Sequence, residues 1–198
     1  LRPKILGDIW NDVLRTAETL RVKQKGQDFL EEVDQRTHAV QNRLVGCGKQ
    51  KPKVLTIEWI DPIYVGGMWL PEMIDIAGGQ VCIAEIGQPA PVVDHEDLIK
   101  INPDVVVVKP CGYKLDQTLK EMELLKKKIP DWQSGTRVYL VDGNDLGIDN
   151  IPTIFSLPFV TPPTDHSYAT EKVVPMIPAL LVLVPPLLGA IGTRVLLY

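Results

Sequence analysis

The chain has 198 residues, 45% of them hydrophobic and 23% charged, which is enough for one full domain and too apolar for a disordered tail. Its 21 Lys and Arg are dispersed among 25 Asp and Glu, for a net charge of −4, so no basic stripe is present and nucleic acid is excluded as a main partner. Three cysteines, Cys47, Cys82 and Cys111, form no CxxC pair, which excludes a zinc ribbon and a disulfide scaffold and leaves at least one thiol free.

The stretch after Leu1 carries Lys4, Asp8 and Asp12 without the apolar core of a signal peptide. From Ile5, the apolar residues Ile9, Trp10, Val13, Leu14, Ala17 and Leu20 recur at spacings of three and four, which predicts an amphipathic helix with Asp8 as N-cap. A longer helix over Lys23 to Leu44 follows from the stripe Phe29, Val33, Thr37, Val40 and Leu44, stopped by Gly46 and Gly48. Residues 53–60 (KVLTIEWI), bounded by Pro52 and Pro62, read as a strand. The segment 61–67 (DPIYVGG) cannot continue it and reads as a loop. Leu70 to Ala77 has helical spacing, with Pro71 in its first turn and Gly78-Gly79 past its end. Val81 to Glu85 reads as a second strand, Asp94 to Ile101 as a helix capped by Asp94, and Asp104 to Lys109 (DVVVVK) as a buried strand. A helix over Lys114 to Lys128 and a strand over Arg137 to Val141 complete the order β-α-β-α-β-α-β. That order predicts an α/β fold: a long helix followed by a Rossmann-like lobe with a mainly parallel sheet.

Ligands of open α/β sheets meet the loops after the carboxyl ends of the strands. The first such loop holds Trp59, Tyr64, Gly67, Met68 and Trp69, in a chain with only 12 aromatic residues. The loop after DVVVVK holds Pro110, Cys111, Gly112 and Tyr113. Aromatic side chains in loops offer flat apolar area to a large planar or apolar ligand, and Gly66-Gly67 lets backbone approach it. The competing reading makes Trp59 and Trp69 edges of the core; their place beside turn residues favours a pocket wall. Cys111 has no His or other base near it in sequence, which does not favour a nucleophile. His38 reads as a solvated helix residue. His95 and Glu96 fall in a first helical turn, where Glu96 complements the helix dipole or serves docking. GxGxxG, P-loop, HExxH and GxSxG motifs are all missing, which lowers the enzyme reading.

Three runs carry a family resemblance: KVLTIEWIDPIYVGGMWLPEMIDIAGG (53–79), NPDVVVVKPCGYKLDQT (102–118) and RVYLVDGN (137–144). In this order and spacing they resemble the vitamin B12 or iron-chelate type of ABC-transporter substrate-binding protein, of the helical-backbone periplasmic class. The resemblance covers about residues 1–144. It implies two α/β lobes joined by one long helix, a corrinoid (cobalamin-like ligand), iron chelate or haem held between them, delivery to a membrane permease, and a periplasmic or extracytoplasmic location. It implies no cofactor of the chain's own, no resident metal and no catalysis. Lys23 to Leu44 would be the backbone helix and residues 50–144 most of the second lobe, the first lobe being absent from this sequence. Trp59, Tyr64, Gly67, Met68, Trp69, Cys111 and Tyr113 would line the cleft, and Glu96 matches the acidic residue that docks onto permease arginines. Many relatives have His where Met68 stands, and the vitamin B12 binder of enteric bacteria has Trp where Ala90 stands.

The chain therefore divides into a helical segment (1–49), an α/β lobe (50–144) and a divergent tail (145–198). Residues 151–198 hold eight of the 17 prolines but only four charged residues, and match nothing in the family. The tail is predicted to be irregular with few contacts to the sheet, as a reading-frame shift or a divergent end. Val173 to Thr193 carries no charge and has membrane-spanning length, but Pro175, Pro178, Pro185 and Pro186 would break a spanning helix. Two rival functions remain open: a metal-ion receptor using Glu58, Asp61, Glu85 and His95, and a small α/β enzyme using Cys111 or the carboxylates Glu58 and Asp61.

Overall fold

A computed structural model describes residues 1–45, 50–129 and 136–143, and the backbone of 195–197. The expected stop at Gly46 and Gly48, the residue Cys47, the irregular tail up to residue 194 and its membrane-anchor alternative lie outside the described residues. Among the described residues no helix is long and apolar enough to cross a membrane.

Two helices come first. Helix α1 (Leu6–Thr19) turns its apolar stripe inward and α2 (Lys23–Leu44) runs 22 residues, about 33 Å at 1.5 Å per residue. Asp8 is not the N-cap expected of it. It sits one turn inside, and its carboxylate reaches back to accept from the Lys4 and Ile5 amides at 2.9 and 3.2 Å. At the other end of α1, a Cβ on Gly26 would lie 2.6 Å from the Ala17 Cβ, so the Ala17 methyl packs directly on the Gly26 backbone where α1 and α2 meet. The Glu72 carboxylate accepts from the Leu6 amide at 2.7 Å and ties this helical pair to the lobe.

The lobe is built on a mixed sheet with a parallel centre. Strands β1 (Lys53–Ile60), β5 (Val105–Val108) and β6 (Arg137–Val141) are parallel neighbours, and β3 (Gln80–Val81) pairs parallel with the start of β1. Two short strands were not expected. The chain reverses at Asp61-Pro62, whose peptide bond is cis, and β2 (Ile63–Val65) runs back antiparallel to β1. Strand β4 (Val92–Val93) then pairs antiparallel with β2 at the sheet's edge. Thus 61–67 is a hairpin arm and not a plain loop, because Ile63 and Val65 alternate into the core around exposed Tyr64. The same strand explains why the expected Val81 to Glu85 strand shrinks to two residues. From Ile57 onward the edge of β1 is occupied by β2, so β3 has only its first residues to pair with. At the far edge, β7 (Val195–Leu197) pairs antiparallel with β6, a contact that the expectation of a tail with few sheet contacts did not include.

Helices α3 (Leu70–Ile76), α4 (His95–Ile101) and α5 (Leu115–Lys128) cover the two faces. The buried valines of β5 show how: Val105 and Val107 join Leu6, Ile9, Val33, Leu70, Met73 and Ile74 on the α1-α2-α3 side. Val106 and Val108 join Leu98, Leu115, Met122 and Leu125 on the α4-α5 side. A continuous apolar strand is what a sheet buried on both faces requires.

Candidate functional site

The bulge near the end of β1 builds the site. Ile57 pairs with Val65 and Trp59 with Tyr64, one residue out of step, so the alternation breaks at Glu58. Ile57, Ile60, Ile63, Val65 and Val93 all face the α4-α5 core, which leaves the register row Trp59, Tyr64 and Val92 on the opposite face. These three are 38%, 36% and 54% exposed. Tyr113 meets Trp59 edge to face, ring centres 5.4 Å apart and planes at 66°. Together they make an aromatic ledge at the carboxyl end of the parallel strands.

The loop bearing Tyr113 is held by a tight turn. The Tyr113 amide donates to the Pro110 carbonyl at 3.0 Å, with Gly112 at φ +76° in the third position, as a type II turn demands. Cys111 is exposed at the turn's corner, and its amide donates to the Glu58 carbonyl at 3.0 Å. The Gly143 amide donates to the Tyr113 carbonyl at 2.8 Å from the end of β6.

Met68 and Gly67 meet the loop of residues 87–91, which leads to β4. Met68 adopts φ +54° and exchanges backbone hydrogen bonds with residues 87 and 88, its amide donating to the Gln88 carbonyl at 2.7 Å. A Cβ on Gly67 would lie 2.7 Å from both Ala90 Cα and the Gln88 oxygen, so the protein's own chain fills the space expected for a ligand. Trp69 is half-buried and packs on the α1-α2-α3 core with Leu6 and Val33. The structure therefore brings Trp59, Tyr64, Cys111 and Tyr113 to one end of the sheet, sets Gly67 and Met68 against the adjoining loop, and turns Trp69 to the core. Glu96 is exposed in the first turn of α4, behind Asp94, whose carboxylate accepts from the Asp97 amide at 2.9 Å.

Sequence reasoning missed Lys109. It is 3% exposed, and its Nζ donates to Glu58 Oε1 at 2.6 Å beside the ledge. The signal was present: a lysine that ends a run of four buried valines must find a partner, because an unpaired buried ammonium is costly. Of the carboxylates of the enzyme reading, Glu58 is paired with Lys109 and Asp61 with Lys128, the latter at 2.5 Å. His95 contacts the Lys128 carbonyl at 3.0 Å through Nδ1. Among the described residues no three His, Cys, Asp or Glu side chains converge on a metal position.

The family model described as periplasmic binding protein matches residues 4–140. The chain belongs to the periplasmic binding protein family. No curated protein matches it by sequence. Among solved structures, this periplasmic binding protein is similar to the haem complex of IsdE from Staphylococcus aureus, at 17% identity and TM-score 0.63, covering 79% of this chain and 66% of that one. It is also similar to an ABC-transporter substrate-binding protein from Listeria monocytogenes, at 14% identity and TM-score 0.56, with 77% and 62% covered. A periplasmic haem-binding protein from Pseudomonas aeruginosa matches at 16% identity and TM-score 0.52, with 77% and 60% covered. These identities establish a shared fold, and the chain spans less than two thirds of each of the three.

Proposed function

We propose that this chain is part of the ligand-binding component of an ABC importer, taking up a corrinoid, haem or another iron chelate outside the cytoplasm and handing it to a membrane permease. The observation that carries the reading is the Trp59–Tyr113 edge-to-face pair, continued by Tyr64 along the exposed register row at the carboxyl end of the sheet. A flat apolar ledge of this kind suits the face of a macrocycle, since stacked aromatic area binds with little loss of side-chain entropy. Met68 and Gly67 hold the loop of residues 87–91, Trp69 anchors the turn on the core, and Cys111 offers a soft donor at the rim of the ledge. Helix α2 would join this lobe (50–144) to another, and Glu96 would meet a permease arginine through a charge-assisted hydrogen bond. The haem bound by the Staphylococcus aureus relative agrees with the ligand class.

Tryptophan emission tests it. Cobinamide, cobalamin and haemin are each added to the 198-residue chain at micromolar concentration, with affinity expected to be weak for a single lobe. Quenching beyond the optical absorbance of the ligand supports the reading, and unchanged emission with all three removes the cleft assignment.

A further inference from the structure

The hydrogen-bonding character of the ledge is one-sided. Several fixed donors around it are engaged inside the protein, whereas the Tyr64 and Tyr113 hydroxyls can rotate to donate or accept. Trp59 Nε1 donates to the Asp61 carbonyl at 3.1 Å. The amides of Cys111, Tyr113 and Gly143 donate to the carbonyls of Glu58, Pro110 and Tyr113. Lys109, at 3% exposure, donates inward to Glu58 and is out of a ligand's reach. What faces outward is the other half of that pair: the Glu58 side chain keeps 19% of its surface accessible, against 4% for Lys109. An ionised carboxylate only accepts hydrogen bonds. Thr56, two residues earlier on β1, keeps a buried hydroxyl without a partner and offers no outward donor either.

A buried ion pair is weak grounds for stability alone, because desolvating both charges offsets most of their attraction. Its placement at the ligand end of the sheet gives it another use. Lys109 pins the carboxylate in one position, and the Glu58 side chain, 19% accessible, belongs to the residue next to Trp59 of the ledge. We infer that Glu58, positioned by Lys109, is a specificity-determining residue that selects ligands with hydrogen-bond donors on their rim, such as primary amides, and rejects ligands with rim carboxylates. The inference rests on the binding reading above and sharpens it: of the two macrocycle classes, an amide-edged corrinoid fits and a propionate-edged haem does not. The exposed cation of this loop, Lys114 at the N-cap of α5, would favour the opposite order.

The test is equilibrium dialysis of the 198-residue chain against dicyanocobinamide, whose rim carries amides, and dicyanocobyrinic acid, the same macrocycle with carboxylic acids. At neutral pH the amide form should bind at least about tenfold more tightly, since hydrogen bonds to charged groups carry that much discrimination. Glu58→Gln, which both donates and accepts, should bring the two affinities within about threefold of each other. The double variant Glu58→Gln with Lys109→Met removes the buried ammonium together with its partner and should show the same levelling if the single variant folds poorly. Equal affinities in the unmodified chain, a tighter carboxylate form, or a preference unchanged by both variants would overturn the selection rule while leaving the binding reading in place. Absence of binding by both probes would overturn the selection rule, and absence of haemin binding as well would overturn the binding reading.

Discussion

The two ends of the parallel strands are built in opposite ways. At the amino end, polar groups answer one another: the Asp104 carboxylate accepts from the Lys53 amide at 2.7 Å, and the Asp104 amide donates to the Lys53 carbonyl at 2.9 Å. Arg137 continues the chain of bonds by donating its amide to the Asp104 carbonyl, and the Thr136 hydroxyl donates to the Pro103 carbonyl. No Trp or Tyr joins this network. At the carboxyl end, Trp59, Tyr64 and Val92 stand exposed in a row, and a carboxylate is held beside them by a buried lysine. One end completes itself, whereas the other leaves apolar area that only something outside the lobe can cover. The thiols repeat the contrast. Burial pushes the Cys82 thiol, near the amino end, up to about 11, while Cys111 lies exposed at the carboxyl end.

The sharpest way to break this contrast is to remove Lys109. Lys109→Ala strands the Glu58 carboxylate at a mostly buried position and should lower unfolding free energy by about 3 kcal/mol in a urea titration. Asp104→Ala at the other end should cost about 1–2 kcal/mol for its lost backbone hydrogen bond and leave ligand affinity unchanged. A loss below about 1 kcal/mol for Lys109→Ala would mean that water solvates the pair like a surface one.

Alkylation compares the ends without mutation. Only thiolate reacts, and at pH 8 about one Cys82 in a thousand is ionised. Iodoacetamide with peptide mapping should therefore modify Cys111 at least about a hundred times faster than Cys82. Because the half-buried thiol, pushed up to about 11, is mostly protonated over this range, its rate should climb about tenfold per pH unit between pH 8 and 10. A Cys82 rate that levels off by pH 9 would show that its burial is not maintained.

Trp59→Ala should separate binding from folding. The side chain is 38% exposed, so the unfolding free energy should fall by about 1 kcal/mol or less, while macrocycle affinity drops about tenfold. The smallest effect is expected for Glu96→Gln. It should cost about 0.3–1 kcal/mol through the helix dipole and leave affinity untouched. In cells carrying the full-length protein, slower uptake at normal protein level supports docking; normal uptake assigns Glu96 to the dipole alone.

The sequence-based expectations succeeded where burial follows a period. The run Val105–Val108 sits between two helical layers as its uninterrupted apolar character required, and Asp94 caps α4 as read. They failed where pairing is decided by distant chain. Nothing local in Ile63–Val65 says that it will fold back on β1, and nothing in Cys82 to Glu85 says that β2 will take the edge that this segment needed. The candidate site divides the same way. Aromatic residues beside turns pointed to Trp59, Tyr64 and Tyr113, but the partner of Gly67 is Ala90, 23 positions away, which no spacing rule links. Lys109 carried the signal of a buried cation in need of a partner, and the bulge that takes Trp59 off the Ile57 face carried none.

One spectrum compares a ledge tryptophan with core tryptophans directly. In a 1H–15N correlation of the indole groups, assigned by Trp→Phe variants, Trp59 reports the ledge, while Trp10 and Trp69 report the core beneath α1 and α2. Addition of dicyanocobinamide should shift or broaden the Trp59 indole resonance and leave that of Trp10 in place. A Trp59 resonance that stays fixed at saturating cobinamide, or a Trp10 resonance that moves as far, would contradict the assignment of the ligand to the carboxyl end of the sheet.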